Sequence, residues 1–437
     1  MSFELTQASD LASFLDSAVS PAHAVYEVKR RLRQANFQAL DERSAWSYQP
    51  GQRCFVTRGT GSIVAFETGN SPPSESGFLL VGAHTDSPNL RLRPNFDVRA
   101  HGHGLLSVEP YGSPLLHTWL DRDLGVAGTL VIAGAGPILF RSLEPVARIS
   151  SLAIHLNRDV NQQGLKLDAQ SHLRPTITPV PADVERSPLW DSILADVSKR
   201  LARTVELQEI LAFDLGLFDE QGTRFVGTGR ELLSSGRIDN LASCHAAITA
   251  LTSAQSIADA TRVVVLYDHE EVGSRSSTGA QSTLLSDVLF RIATAASPQD
   301  KEAYARAEAH SLLLSADMAH AIHPNYADKH DEEHRPRLGG GPVLKSNSNQ
   351  SYATDIGAMA AVENASRAAN VTLQKFVSRN DIPCGSTIGP ISAARTGIRT
   401  ADIGSPMLSM HSCREVMAAA DISPYIQLVK AWLEMTP

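Results

Sequence analysis

Several apolar runs of strand length end in a histidine or a carboxylate residue, and this pattern constrains the fold most. FLLVGA runs into His84, RVVVLY runs into the segment DHEE, and LLLSA leads into Asp317. Runs of this length and composition, bounded by turn residues, are typical of buried strands in a parallel sheet. They alternate with helical patterns at residues 240–254 and 353–368. The order predicts an α/β fold with a mixed, mainly parallel sheet flanked by helices.

The polar residues at the ends of these runs indicate a site. In open α/β sheets, ligands bind beyond the carboxyl ends of the strands. His84 and Asp86 follow the first run, Glu270 and Glu271 the second, and Asp317 the third. We therefore expect these side chains to lie close together at one edge of the sheet.

The segment from residue 93 to residue 232 has a different character. Its short apolar runs are separated by Pro, Gly and Asp, and long helical patterns are few. With 437 residues the chain is long enough for two or three domains. We predict a catalytic domain built from residues 1–92 and 233–437, interrupted by a β-rich dimerisation domain at 93–232.

Three local expectations complete the outline of the fold. Apolar spacing around Pro21 predicts two amphipathic helices within residues 11–37, the second opening at the proline. The apolar stretch 126–140 is expected to form a buried strand. The segment CREVMAAA, which follows His411, is expected to be helical.

Charge and cysteine content exclude several classes of protein. The chain has 39 basic and 47 acidic residues, a net charge of −8 and no run rich in Lys or Arg, so a nucleic-acid partner is not expected. The four cysteines are widely spaced and form no C-x-x-C pair: Cys54, Cys244, Cys384 and Cys413. This spacing argues against a disulfide framework and a zinc finger, and it favours a reducing compartment.

No segment predicts secretion or membrane insertion. The N-terminal sequence MSFELTQASD lacks the basic and apolar regions of a signal peptide. The stretch 126–140 is interrupted by glycines and Pro137 and is shorter than the roughly 18 residues that a spanning helix needs. We expect a cytoplasmic protein with no membrane partner.

The residue types at the sheet edge are those of a catalytic metal centre. Imidazole and carboxylate ligands without thiolates suit Zn²⁺, Mn²⁺ or Co²⁺ at a site that keeps a position open for water. In an extended H-x-D segment, Asp86 lies on the same face as His84 and can orient its ring. Adjacent Glu270 and Glu271 should point to opposite sides of an extended backbone, so that one binds metal and the other acts as a general base. The spacing leaves open which glutamate does which.

Six motifs, in this order, closely resemble the aspartyl aminopeptidase family of dizinc metallopeptidases. They span residues 82–416 and read GAHTDSPNLRLRP, GRIDNLAS, DHEEVGSRSSTGA, SADMAHAIHPNY, VLKSNSNQSYATD and SPMLSMHSCREV. The resemblance implies a zinc exopeptidase-like fold and two Zn²⁺ ions per subunit, with Mn²⁺ or Co²⁺ as substitutes. In that family pattern Asp239 bridges the two ions. His84 and Asp317 complete one site, and Glu271 and His411 complete the other.

The resemblance also implies an activity, the hydrolysis of N-terminal residues from peptides with a preference for Asp or Glu. Glu270 is the implied general base, and Asp86 is the carboxylate that orients His84. Lys345 matches the cation that pairs with the acidic side chain of the substrate, and His320 matches a residue of the same pocket.

A neighbouring subunit is implied as well. His155, or alternatively His172, matches a histidine of the inserted domain that reaches the active site of the adjacent subunit. The family forms tetrahedral dodecamers built from dimers, and the inserted domain is expected to hold them together.

Two alternatives to this activity stay open from the sequence. One is a related dimetal aminopeptidase of broad or neutral specificity, because the metal-binding core is more widely shared than the pocket. The other is a non-catalytic metal-binding scaffold, against which the retention of Glu270 argues. A serine hydrolase is not supported, since the chain has no G-x-S-x-G segment.

Overall fold

The computed structural model describes residues 3–179, 186–254 and 256–437. Its strands, in chain order, are β1 Gln38–Ala39, β2 Arg53–Arg58, β3 Ser62–Glu67, β4 Phe78–His84, β5 Asn89–Ala100, β6 His103–Tyr111, β7 Asp123–Ile132, β8 Gly136–Arg141, β9 Ala147–Arg148, β10 Thr176–Pro179, β11 Ile210–Asp219, β12 Arg224–Val226, β13 Leu232–Ser235, β14 Thr261–Tyr267, β15 Leu312–Ala316, β16 Ala319–His320, β17 Val343–Lys345, β18 Gln374–Phe376, β19 Arg399–Gly404, β20 Pro406–Leu408 and β21 Glu415–Ala418. Its α-helices are α1 Phe3–Ser17, α2 Pro21–Gln34, α3 Pro73–Ser76, α4 Val160–Gln163, α5 Pro188–Leu201, α6 Ile238–Thr252, α7 Leu284–Ala296, α8 Ala303–Ala309, α9 Ile356–Ala369, α10 Ile388–Thr396 and α11 Ile422–Glu434.

A nine-stranded mixed sheet forms the centre of the molecule, in the order β1-β2-β3-β14-β4-β15-β19-β17-β18. The pairs β14–β4, β4–β15 and β15–β19 are parallel. Tyr267 at the end of β14 is in register with His84 at the end of β4. The strands that the apolar runs predicted are therefore neighbours whose carboxyl ends meet, and the predicted fold class is confirmed.

Helices cover both faces of this sheet, because the side chains of a strand point alternately to the two sides. Leu79 and Val81 of β4 pack into a core shared with α1, α2, α6, α9 and α11. Leu80 of the same strand packs into a second core with α7, α8 and α10. Two cores hold β4 fully buried and so fix the position of His84 at its end.

The β-rich inserted region forms a separate sheet. Its order is β11-β5-β6-β10-β9-β7-β8, and a further pairing of β11 with β7 closes six of the strands into a ring. The ring encloses its own apolar core, to which α5 contributes. Residues 126–140, expected to form one strand, instead fold as the hairpin β7–β8, which turns at Ala133–Ala135, where Gly134 has a φ of 76°.

A third sheet, β12-β13-β21-β20-β16, carries the chain that surrounds His411. The expectation of a helix in CREVMAAA was wrong. Residues Glu415–Ala418 pair with β13 on one side and with β20 on the other, and these backbone bonds outweigh the helix propensity of an alanine-rich segment.

Both predicted N-terminal helices are found, but α1 begins at Phe3, before the predicted segment 11–37. Helix α2 begins at Pro21, and the hydroxyl of Ser20 accepts a hydrogen bond from the backbone N–H of His23, which caps the helix. Among the described residues, the helices are all too short or too polar to cross a lipid bilayer.

Candidate metal centre

Three neighbouring strands deliver the first part of the site. His84 is the last residue of β4, Asp317 directly follows β15, and Glu270 and Glu271 follow β14. Asp239 lies in the first turn of α6, and His411 lies in the turn between β20 and β21. The structure thus brings together five segments that are distant in the sequence.

Two groups of ligand atoms share Asp239. In one group, Nε2 of His84 lies 3.7 Å from Oδ1 of Asp239 and 3.8 Å from Oδ1 of Asp317. In the other, Nε2 of His411 lies 3.4 Å from Oδ2 of Asp239 and 3.3 Å from Oε2 of Glu271. Within each group the potential ligand atoms are all within 4.8 Å of one another. Each of the two oxygens of Asp239 faces a different histidine.

Unpartnered oxygens show that these groups fit cations. Oδ1 of Asp239 and Oε1 of Glu271 are buried, and neither has a hydrogen-bond partner in the described part of the chain. Buried carboxylate oxygens left without partners are costly, and a bound cation removes that cost. The set of two imidazoles and three carboxylates, without thiolates, suits zinc at a catalytic site.

The two adjacent glutamates do not lie on an extended backbone, so this expectation was wrong. Residues Glu270–Val272 form a single 3₁₀ turn after His269, whose φ is 64°. The turn directs both carboxylates toward His84, with which they form a further group of potential ligands. Glu271 also lies beside His411, whereas Oε2 of Glu270 is 4.0 Å from Nε2 of His84.

Asp86 holds this turn in place. Its carboxylate, fully buried, accepts hydrogen bonds from the backbone N–H groups of Glu270 and Glu271, both at 3.1 Å. The hydroxyl of Tyr111, on β6 of the inserted region, donates to the same carboxylate at 2.6 Å. Nδ1 of His84 is 3.0 Å from the backbone oxygen of Asp86 and 3.4 Å from its Oδ1. The aspartate therefore contacts His84 and supports both glutamates.

The inserted region also supports His411. Nδ1 of His411 is 3.1 Å from the backbone oxygen of Ser113, and the backbone N–H of Leu115 donates to the carbonyl of His411 at 2.9 Å. These contacts leave Nε2 facing Asp239 and Glu271. Neither Tyr111 nor Ser113 was predicted from the sequence. Their roles depend on contacts with Asp86 and His411, which lie outside the inserted region, and no motif indicates such contacts.

The local electrostatics favour the binding of positive charge. Burial, together with Asp317, Asp86 and Asp239, raises the pKa of Glu270 to about 8. Burial, with Asp239 as the main charged neighbour, raises the pKa of Glu271 well above its usual range. Burial alone would lower the pKa of His411, but its contact with Asp239 raises that pKa overall. Crowded acidic groups of this kind mark a functional site.

A cavity of about 420 Å³ opens over both groups and is lined by Lys345, His320 and Tyr352. Lys345 is buried, and its Nζ donates to the backbone oxygens of Asp317 at 3.0 Å and Met318 at 3.2 Å. Its Nζ also lies 5.0 Å from the centre of the Tyr352 ring. Lys345 and His320 were predicted from the sequence, whereas Tyr352 was not, because no chemical motif distinguishes it from an ordinary core tyrosine.

His155 lies away from this cavity. It is an exposed residue of the short 3₁₀ helix Ile154–Leu156 in the inserted region. His172 is exposed as well, and its Nδ1 accepts a hydrogen bond from the backbone N–H of Asp168. Within one subunit, neither histidine is brought to the candidate metal centre.

Comparison with known proteins identifies the family. The model of the aminopeptidase I zinc metalloproteases, M18, matches residues 14–433. The chain belongs to this family. It is accordingly a metallo-aminopeptidase, a hydrolase of a zinc metalloprotease family.

Relatives of the family match along nearly the whole chain. A probable M18 family aminopeptidase 2 of Streptomyces avermitilis is 44% identical over 438 residues, covering 99% of this chain and 98% of the relative. A probable aspartyl aminopeptidase of Ricinus communis is 40% identical, covering 98% and 94%. Among solved structures, a chain of the S. cerevesiae mApe1 dodecamer is 30% identical with a TM-score of 0.81, covering 98% and 97%.

Proposed function

We propose that this M18 aminopeptidase holds two zinc ions and removes N-terminal Asp or Glu residues from peptides. The observation that carries the proposal is the sharing of Asp239 between two ligand groups. His84 and Asp317 would hold one ion with it, and Glu271 and His411 would hold the other. Mn²⁺ or Co²⁺ could replace zinc in such a set of nitrogen and oxygen ligands.

The two adjacent glutamates have separate roles in the proposed reaction. Zinc, when bound, supplies a Lewis acid that polarises the peptide carbonyl and makes water a better nucleophile. Glu270 takes a proton from the attacking water and later gives a proton to the leaving amine. Among the contacts between a carboxylate and an imidazole at this centre, that of Glu270 with His84 is the longest, at 4.0 Å. Glu270 is therefore the carboxylate best placed to act as base, while Glu271, 3.3 Å from His411, binds metal. Asp86 keeps both in place through their backbone amides.

The preference for acidic residues rests on the cavity. An ammonium group has three N–H donors, and Lys345 uses two of them on backbone oxygens, which leaves one for a substrate carboxylate. His320 and Tyr352 line the same cavity. The name of the Ricinus communis relative, aspartyl aminopeptidase, supports this specificity.

Self-association is the second part of the proposal. Leu152, Ile154 and Leu156 are neighbours of His155 in the chain and are exposed apolar side chains, as is Leu165. Exposed apolar side chains concentrated in one segment favour burial in an interface. The solved relative from yeast is a dodecamer. We infer that residues 93–232 mediate dimer formation within a tetrahedral dodecamer, and that His155 reaches the neighbouring active site, with His172 as the alternative.

A substrate panel tests the activity and the specificity together. We expect the zinc-loaded protein to cleave Asp- and Glu-peptides much faster than Leu-peptides, and the chelated protein to cleave none. Lys345→Met keeps the length and apolar stem of the side chain but removes the charge. It should raise KM more for the acidic peptides than for Leu-peptides. Equal rates on Leu-peptides would indicate a broad aminopeptidase instead, and a zinc-loaded protein without turnover would indicate a binding scaffold.

A further inference from the structure

Glu415 links the backbones of two candidate zinc ligands that are far apart in the sequence. Its side chain is buried, with 1% of the residue exposed. Oε2 accepts a hydrogen bond from the backbone N–H of Asp239 at 3.1 Å, and Oε1 accepts one from the backbone N–H of His411 at 2.8 Å. One carboxylate therefore sets the spacing between the start of α6 and the turn that carries His411.

The buried carboxylate of Glu415 accepts hydrogen bonds from two backbone amides. In the part of the chain that the structure describes, it forms no ion pair with a lysine or an arginine. Burial of such a charge is costly unless its oxygens are satisfied. Here each oxygen is satisfied by the amide of a residue whose side chain belongs to the same ligand group, Asp239 and His411. The serine hydroxyl of Ser87 fixes the other side of this backbone, because it donates to the carbonyl of Asp239 at 2.6 Å.

We propose that Glu415 is a positioning residue for the zinc ion held by Asp239, Glu271 and His411, an inference that rests on the proposed dizinc function. Because Glu415 holds the backbone amides of Asp239 and His411, it fixes the positions of their carboxylate and imidazole side chains before the metal binds. Support of this kind behind the ligands is typically worth about 10- to 100-fold in metal affinity. The second ion, held also by His84 and Asp317, should depend on Glu415 less.

Zinc binding by the full-length protein tests the proposal without reference to turnover. Affinities would be measured by competition with a chromophoric chelator for the wild type, Glu415→Gln and Glu415→Asp. Glutamine places an NH₂ group against one of the two backbone N–H donors. Aspartate keeps the charge, but its shorter side chain cannot span both amides. We expect each variant to weaken one zinc site by about 10- to 100-fold, and the other site by less.

Asp421 provides a matched control. It is equally buried, and its carboxylate accepts hydrogen bonds from the backbone N–H groups of Gly339 at 2.7 Å and Gly341 at 2.8 Å, away from the ligands. Asp421→Asn should leave both zinc affinities at the wild-type value. Melting temperatures of all the metal-free variants would show how much each substitution affects the fold alone.

The outcomes separate this inference from the proposed function. Wild-type affinity at both sites in Glu415→Gln or in Glu415→Asp would overturn the role of Glu415. An equal loss of affinity in Asp421→Asn would overturn it too, because the effect would then follow from general stability. If Glu415→Gln does not fold, Glu415→Asp decides. A wild type that binds fewer than two zinc ions would instead contradict the dizinc function itself.

Discussion

At the scale of single residues, Glu270 and Glu271 have different surroundings although they are neighbours in the chain. Both line the cavity, but Oε2 of Glu271 lies 3.3 Å from Nε2 of His411, whereas Oε2 of Glu270 lies 4.0 Å from Nε2 of His84. A single 3₁₀ turn brings both to the site, and two backbone bonds to Asp86 keep it there. Identical side chains can thus carry a ligand role and a base role.

The division of roles predicts the effect of Glu270→Gln. Glutamine preserves the size of the side chain but cannot accept a proton from water, so kcat should fall by about 10²- to 10⁴-fold. Zinc content, measured by elemental analysis, should stay at the wild-type value because the five proposed ligands are intact. Normal turnover in this variant would remove Glu270 from the reaction, and loss of zinc would make it a ligand.

At the scale of elements, strand β6 of the inserted region supports the site through Tyr111. Its hydroxyl donates to the buried carboxylate of Asp86, and the guanidinium of Arg91 lies 3.7 Å from the centre of its ring. The support of the two glutamates therefore extends into the inserted sheet.

Removal of the Tyr111 hydroxyl tests whether its hydrogen bond to Asp86 supports the site. Tyr111→Phe leaves a buried charged acceptor short of a donor, so the free energy of unfolding should fall by about 2 kcal/mol, and kcat should fall with it. Tyr48→Phe is the control, because the Tyr48 hydroxyl donates to the backbone oxygens of Gly69 and Ser71, outside the site. It should destabilise the protein without lowering kcat. Unchanged kcat in Tyr111→Phe would show that the contact serves folding alone.

Helix α1 is tied to α2 and α6 by one carboxylate. Asp10 accepts from the Arg31 guanidinium at 2.7 and 2.9 Å and lies 2.7 Å from Nε2 of His245. The hydrogen bond to His245, followed by that to Arg31, holds the pKa of Asp10 far below its ordinary value of 3.8, against the opposing effect of burial. The ion pair with Arg31 and the hydrogen bond to His245 thus stabilise the fold while Asp10 is charged.

The pH dependence of Asp10→Asn follows from the direction of that shift. A carboxyl whose pKa is lowered by folding contributes stability above its unfolded pKa and loses it as the pH falls toward the folded value. Because the Asp10 side chain is 45% exposed, we expect a loss of only about 1 kcal/mol at pH 7. Thermal melts should show the gap between wild type and variant narrowing below about pH 5. A gap that widens on acidification would contradict the assignment.

Some of the strands and turns could be predicted from the sequence and others could not. The strands that end at His84, Tyr267 and Ala316 were predictable because each apolar run stops at a polar residue, and this also located most of the site. Strand β21 was not predictable, since its alanine-rich sequence favours a helix and only pairing with β13 and β20 decides otherwise. The turn at Glu270 was missed because its support comes from Asp86, 184 residues earlier in the chain.

At the scale of the whole molecule, the inserted region combines support of the site with an exposed apolar surface around His155. Leu156 has 75% of its surface exposed and Leu152 has 61%. In the proposed assembly these side chains are covered by another subunit.

Substitution of one of them tests the assembly. Leu156→Glu places a charge in the proposed interface, so analytical ultracentrifugation should show smaller particles than the wild type at equal concentration. Gln208→Glu adds the same charge at an exposed position of the inserted region outside the segment 152–165 and should leave the particle size unchanged. If Leu156→Glu sediments like the wild type, this surface does not join subunits.

Diffraction at the zinc absorption edge would show whether two zinc ions share Asp239. Crystals of the zinc-loaded protein should give two anomalous peaks per subunit. One should lie among His84, Asp239 and Asp317, and the other among Asp239, Glu271 and His411. A single peak, or a pair of peaks that leaves Asp239 uncoordinated, would contradict the account.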